Sequence, residues 1–327
     1  MYCFIFLYFL NVTFSSSKDR LQLQDYFRLN RHGRFTSSIF WSLDWRGFSR
    51  FDIPMAVRIL MYNINEVVQL EAALYQGFAN KLAVMEILTE LITTESEALS
   101  VPSGMNIPEP TLGSFVGVSM GGILGSGYIA VANYSRASLL VAGSPFTYII
   151  PRSSLFVVYI GLMDLQFFDR RDIRIALTSM QIMMDPFESS GWAGTGSYDN
   201  AEVLVQISQG DSTVTPDGSA ILSRNIKASN LDPSVQIIYG LPNESLPIFP
   251  KSSGAYLIEA IYPGDAALVN SDYTSIPPDT EVHNCFPFRA NIHYQSVTFL
   301  DTGYISVPCK NNAGAPVPCV FEKYASC

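Results

Sequence analysis

Apolar residues recur at intervals of three and four through residues 53–98, first in IPMAVRILM and then in the longer run from Val67 to Ile92. This is the period of helices that lay one face on a core. The segment GMNIPEP (104–110) breaks the pattern, and the period then changes. Thr111 to Val118 is a short, nearly continuous apolar run, as expected of a buried strand; Gly121 to Ala132 is a small-residue helix; Arg136 to Ala142 is another short strand. Further along, Ala201 to Ser208 predicts a strand, residues 217–228 a helix, Ser234 to Tyr239 a last strand, and Arg289 to Leu300 an amphipathic closing helix. Residues 240–288 are rich in Pro, Ser and Asp and carry few periodic signals. Near the start, Ser37 to Trp45 reads as an aromatic and β-branched strand. The opening run MYCFIFLYFL fits equally a buried parallel strand and the apolar region of a signal peptide. Strands alternating with helices in this order predict an α/β fold with a mainly parallel, doubly wound sheet, one domain over residues 1–327 with a helical cap-like insertion at 151–195.

Residues 151–187 are apolar over much of their length. Arg152, Asp164, Asp169, Arg170 and Arg171 interrupt every run long enough to span a bilayer, so core or cap helices are expected and an integral membrane span is not. Met180, Met183 and Met184 read either as fillers of a helix core or as the lining of a substrate cavity.

With 327 residues and 48% apolar composition, a sizeable core is available. A net charge of −9 with no Lys/Arg cluster argues against nucleic acid as a partner. Four of the five cysteines, Cys285, Cys309, Cys319 and Cys327, crowd the end of the chain without a C-x-x-C pair, which disfavours zinc. Cys309 and Cys319 flank a turn-rich loop and suit a disulfide, hence a secreted or extracytoplasmic protein; free thiols in the cytoplasm are the alternative. Asn11-Val-Thr, Asn133-Tyr-Ser and Asn243-Glu-Ser match the glycosylation sequon, a tripeptide common by chance.

The candidate chemistry lies in Gly117-Val118-Ser119-Met120-Gly121, a Gly-x-Ser-x-Gly placed between the predicted strand and the glycine-rich helix. A serine hydroxyl becomes a nucleophile only beside a base and near amide donors, and a tight strand-to-helix turn presents it so. Small residues at 117 and 121 let the two elements approach. Of the three histidines, His32 reads as a surface residue in a polar loop and His293 as a helix residue. His283, in a loop after the last predicted strand, is the candidate base. Asp211 follows the strongest strand, with Gly210 giving the turn, and is the candidate acid; Asp217 and Asp232 read more simply as N-cap or turn residues. The backbone N–H of Met120 is the candidate first donor of an oxyanion hole. The second is expected from residues 10–17.

With these residues the chain resembles the α/β-hydrolase superfamily, and within it secreted or lipoprotein-type bacterial serine esterases and lipases. The resemblance rests on Asp-Trp-Arg-Gly-Phe-Ser-Arg-Phe-Asp (44–52), Gln-Gly-Phe-Ala-Asn (76–80), Gly-Val-Ser-Met-Gly-Gly-Ile-Leu-Gly (117–125), Gln-Ile-Ser-Gln-Gly-Asp-Ser-Thr-Val (206–214), Val282-His283 and Phe-Leu-Asp-Thr-Gly (299–303). It implies Ser119 as nucleophile, Asp211 as acid, His283 as base, no cofactor or metal, and a small-molecule ester or lipid as substrate. Relatives carry two earlier strands and a His-Gly motif where this chain reads Leu-Asn-Val-Thr-Phe-Ser-Ser-Ser (10–17). That departure implies a chain shortened at its start, or an oxyanion hole lacking its second donor. The expected function is hydrolysis of carboxylic esters, with a catalytically impaired binding protein of the same fold as the alternative.

Overall fold

The structure, a computed structural model, describes residues 7–8, 39–40, 43–94, 113–132, 134–250, 253–262 and 276–321. It is an α/β fold in which a mostly parallel sheet is flanked by helices. Two-residue strands β1 (Leu7–Tyr8) and β2 (Ile39–Phe40) precede helices α1 (Ile53–Tyr62) and α2 (Val68–Thr94). Strand β3 (Ser114–Val118) leads into α3 (Met120–Val131), and β4 (Arg136–Leu140) follows. A helical excursion comes next: α4 (Phe146–Ile149), α5 (Val157–Met163), α6 (Arg170–Met184) and α7 (Ser189–Trp192). The chain returns through β5 (Glu202–Gln209), α8 (Pro216–Asn225), β6 (Ser229–Asp232), β7 (Asn243–Ser245) and β8 (Gly254–Ile261). It ends in α9 (Val282–Cys285), α10 (Ala290–Thr302) and β9 (Cys319–Val320).

The strands form one sheet in the order β2-β1-β3-β4-β5-β8-β6-β7, with β9 paired to β8. From β3 onward all pairings are parallel, whereas β1 is antiparallel to both β2 and β3. The expected parallel pairing at the start of the chain is therefore corrected. The sheet is buried on both faces, and side chains alternate between two cores as strand geometry requires. Phe115, Leu139, Val203, Val205, Ile207 and Leu257 face the side of α2 and α3, while Val116, Leu140, Leu204 and Ile258 face the side of α10.

Two further expectations are corrected. Residues 234–239 form no strand: Ile237 and Tyr239 are 83% and 92% exposed. The strand that lies beside β5 is β8, in the stretch with few periodic signals, paired over its whole length from Glu202↔Gly254 to Gln209↔Ile261. Within 37–45, only Ile39–Phe40 is strand among the described residues.

Glu188 clasps the excursion where it leaves and rejoins the sheet. Its buried carboxylate accepts from Ser144 Oγ at 2.8 Å, from Phe146 N at 2.9 Å and from Gln181 Nε2 at 2.7 Å. Burial pushes this carboxyl up to about 7 despite those donors. A raised folded-state value stabilises the protein fully below the unfolded value near 4.5, and that stability is lost as pH rises through about 7. Glu188→Gln is expected to remove this slope, worth on the order of 3 kcal/mol. Urea midpoints of both proteins from acid to neutral pH measure it. His293, which burial lowers to about 4, tilts both curves the opposite way in acid, so their difference isolates Glu188.

Candidate active site

Ser119 stands between the last residue of β3 and the first of α3, with φ 57° and ψ −125°. A non-glycine residue at positive φ costs about 1–3 kcal/mol and persists only where its surroundings impose it. Here Ser119 N donates to Leu140 O at 2.9 Å, tying the turn to the next strand, while Gly122 N and Ile123 N donate to Ser119 O and start the helix. The turn closes so tightly that a Cβ on Gly117 would lie 2.5 Å from Gly121 O. Gly122, which the sequence reading did not single out, is equally constrained: a Cβ there would lie 2.5 Å from Ala142 Cβ. The signal was present as the second glycine of the Gly-Gly pair.

Asp211 follows β5 and is 2% exposed. Its Oδ1 accepts from Thr213 N at 2.8 Å and Val214 N at 2.9 Å, which fixes the carboxylate plane. Its Oδ2 lies 2.8 Å from His283 Nδ1, and His283 Nε2 lies 2.7 Å from Ser119 Oγ. An ionised carboxylate only accepts, so the ring proton belongs on Nδ1 and Nε2 is left to accept from the serine hydroxyl. The three residues, distant in sequence, thus form one unbroken chain of hydrogen bonds. His283 was expected in a loop; it sits in the one-turn helix α9, 8% exposed.

That short helix is held against the acid turn by Ser212. Its hydroxyl accepts from Thr280 N at 3.1 Å and lies 3.3 Å from Asp279 Oδ1, and Thr280 Oγ1 donates to Gly210 O. Ser154, at the head of α5, joins the same cluster by donating its N–H to Ser212 O at 2.8 Å. Glu281, two residues before the histidine, takes φ 58° to make the corner. Nothing in the sequence links Ser212 to Thr280, because their contact comes from two turns meeting in space.

Comparison of the chain with protein-family models, with curated protein sequences and with solved structures gave no match in any of the three.

Met120 is the first residue of α3, so its N–H has no intrahelical carbonyl to bond and points out of the positive end of the helix. Residues 10–17 and His32 lie outside the described residues. His293 is on α10 and takes no part in the Ser119 cluster; Asp217 is in the first turn of α8 and Asp232 ends β6. Met180, Met183 and Met184 line an apolar cleft with Val67, Leu70 and Phe146. Met184 is buried and Met180 packs against the same core, as expected of fillers of a helix core. Cys309 and Cys319 are disulfide-bonded, which fits an oxidising compartment. Among the described residues no single helix is long and apolar enough to cross a membrane.

Proposed function

We propose that the protein is a serine hydrolase of the α/β-hydrolase type that cleaves carboxylic esters of hydrophobic acyl groups. The observation that carries this reading is the continuous Asp211–His283–Ser119 hydrogen-bond chain, ending on a serine held at φ 57° on a strand-to-helix turn. A serine in that backbone conformation costs folding free energy, and presenting its Oγ to a reactant gives the strain a use.

In this mechanism His283 Nε2 removes the hydroxyl proton as Ser119 Oγ attacks the ester carbonyl. The developing oxyanion is stabilised by Met120 N–H. The tetrahedral species collapses as His283 returns the proton to the leaving alcohol, which leaves an acyl group on Ser119. Water, deprotonated by the same nitrogen, then releases the acid and restores the hydroxyl. Asp211 keeps the imidazole in the required tautomer and stabilises its charged form. The apolar segments at 151–187 favour an acyl group over a peptide as the part of the substrate to be held. The disulfide supports an extracytoplasmic site of action.

Labelling with a fluorophosphonate probe tests the reading, because the probe requires an activated serine. Covalent modification mapped to Ser119, together with turnover of p-nitrophenyl esters from acetate to palmitate, is the expected result. Folded protein that neither labels nor turns over these esters is instead a binding protein of the same architecture.

A further inference from the structure

The acid and base proposed above come from two turns that share no secondary structure. Asp211 is fixed by β5 and by its own turn. His283 has no such anchor: α9 is a four-residue helix, too short to hold itself, and Glu281 at its start makes no side-chain cap. Val282 and Phe286 are buried and set how far α9 stands from the sheet. Apolar contact has no direction, however, so it fixes neither the rotation of the helix nor its slide along the sheet. Hydrogen bonds from residues 279–281 must do that.

Those bonds converge on one side chain. Ser212 is the next residue after Asp211 and is fully buried. A hydroxyl has one proton to give and two lone pairs with which to accept. Ser212 Oγ accepts from Thr280 N at 3.1 Å and from Ser154 Oγ at 3.1 Å, and its own proton points at Asp279 Oδ1, 3.3 Å away. Thr280 Oγ1, 3.3 Å from the same atom, gives its proton to Gly210 O instead. Asp279 Oδ1 also accepts from Glu281 N at 3.0 Å, and so holds the corner from which α9 starts. All three places on the Ser212 hydroxyl are filled, which leaves it one orientation. Its carbonyl adds a further link, accepting from Ser154 N at the head of α5. One serine thus ties together the acid turn, the approach to the base and the helical excursion.

We infer that Ser212 is a positioning residue for the proposed hydrolysis, its hydroxyl setting the register of His283 against Asp211 and Ser119. Being fully buried, it touches no substrate. The inference rests on the roles proposed for those three residues. A shift of about 1 Å in a reacting group can cost roughly a hundredfold in rate, and His283 Nε2 stands 2.7 Å from Ser119 Oγ. Removing the hydroxyl also leaves Thr280 N buried without an acceptor, so the corner is driven to move.

Ser212→Ala in the whole protein tests it, with Ser138→Ala as the comparison. Ser138, in the middle of β4, is equally buried and donates to Ser296 Oγ on α10, away from the turns around Ser119. Ser212→Ala is expected to lower kcat for a p-nitrophenyl ester about 10- to 100-fold with KM little changed. Ser138→Ala, at a comparable loss of melting temperature, should keep kcat. A second readout needs no turnover. The His283 Nδ1 proton, enclosed between the ring and Asp211 Oδ2, is protected from exchange and gives a resolved low-field proton resonance. Asp211→Asn assigns that resonance by its loss, and in Ser212→Ala it should broaden or vanish. Ser154→Ala, which withdraws one donor from the same hydroxyl, should move both readouts the same way by less, and it decides the matter where Ser212→Ala does not fold. Wild-type kcat with an unchanged resonance in Ser212→Ala, or an equal fall of kcat in Ser138→Ala, overturns the inference. Wild type that neither labels nor turns over esters overturns the proposed function instead, and the resonance then decides alone whether Ser212 sets the pair.

Discussion

Ser119→Ala is expected to lower ester hydrolysis about 10⁶-fold, and Asp211→Asn about 10⁴-fold, with both proteins folded. The serine supplies the only bond formed to the substrate in the proposed reaction, so nothing replaces it. The aspartate acts through the ring. In Asp211→Asn the side-chain oxygen can still accept from Thr213 N and Val214 N, so the turn keeps its shape. The amide nitrogen, however, would face His283 Nδ1 at the place of Oδ2 and donate to it. That moves the ring proton to Nε2, where it points at Ser119 Oγ and the base is lost. Turnover of a p-nitrophenyl ester alongside thermal melting separates this loss of tautomer from loss of fold. Retained fluorophosphonate labelling in Ser119→Ala would contradict the assignment directly.

A large loss of stability is expected at Gly117. Glycine to alanine ordinarily stabilises where the backbone allows it, because the unfolded chain loses freedom. At Gly117 the added carbon would run into the main chain of the first turn of α3, 2.5 Å from Gly121 O, 2.7 Å from Gly121 C and 2.8 Å from Gly122 Cα. Main chain cannot swing aside as a side chain can, so strand and helix must separate. Gly117→Ala is expected to cost on the order of 3–5 kcal/mol and to open the Ser119 turn. Gly161→Ala is the contrast: nothing lies within 4 Å of its added carbon, and it should gain about 0.5–1 kcal/mol as a helix-interior replacement. Urea unfolding of the two variants, read as midpoints at unchanged slope, compares them.

The elements that position Ser119 were legible because their signals are local. A buried five-residue strand reads as an apolar run, and a helix packed on a sheet shows small residues. The turn between them then demands glycine at fixed offsets. Asp211 was legible for a similar reason, since β5 is eight consecutive buried residues and the turn follows at once. The error at residues 234–239 was of another kind. Ser-Val-Gln-Ile-Ile-Tyr has the composition of a strand, but β-propensity records fitness for a half-buried pleated surface, and the place beside β5 is taken by β8. The segment that does pair on the far side of β8 is Ser229–Asp232, mostly polar and strand-like only because a neighbour offers it hydrogen bonds. The links among Ser212, Thr280 and Ser154 were illegible for the same reason: they join three turns remote in sequence.

The position of β8 also bears on how such a chain is made. It lies between β5 and β6 in the sheet but follows both of them, and β7, in the sequence. Until residues 254–261 emerge from the ribosome, β5 presents an open edge of eight residues, and β6 with β7 has no place to dock. An open, apolar strand edge invites pairing with another chain. The part of the sheet formed by β8, β6 and β7 is therefore assembled only once residues 254–261 have been made, and His283 reaches its aspartate later still.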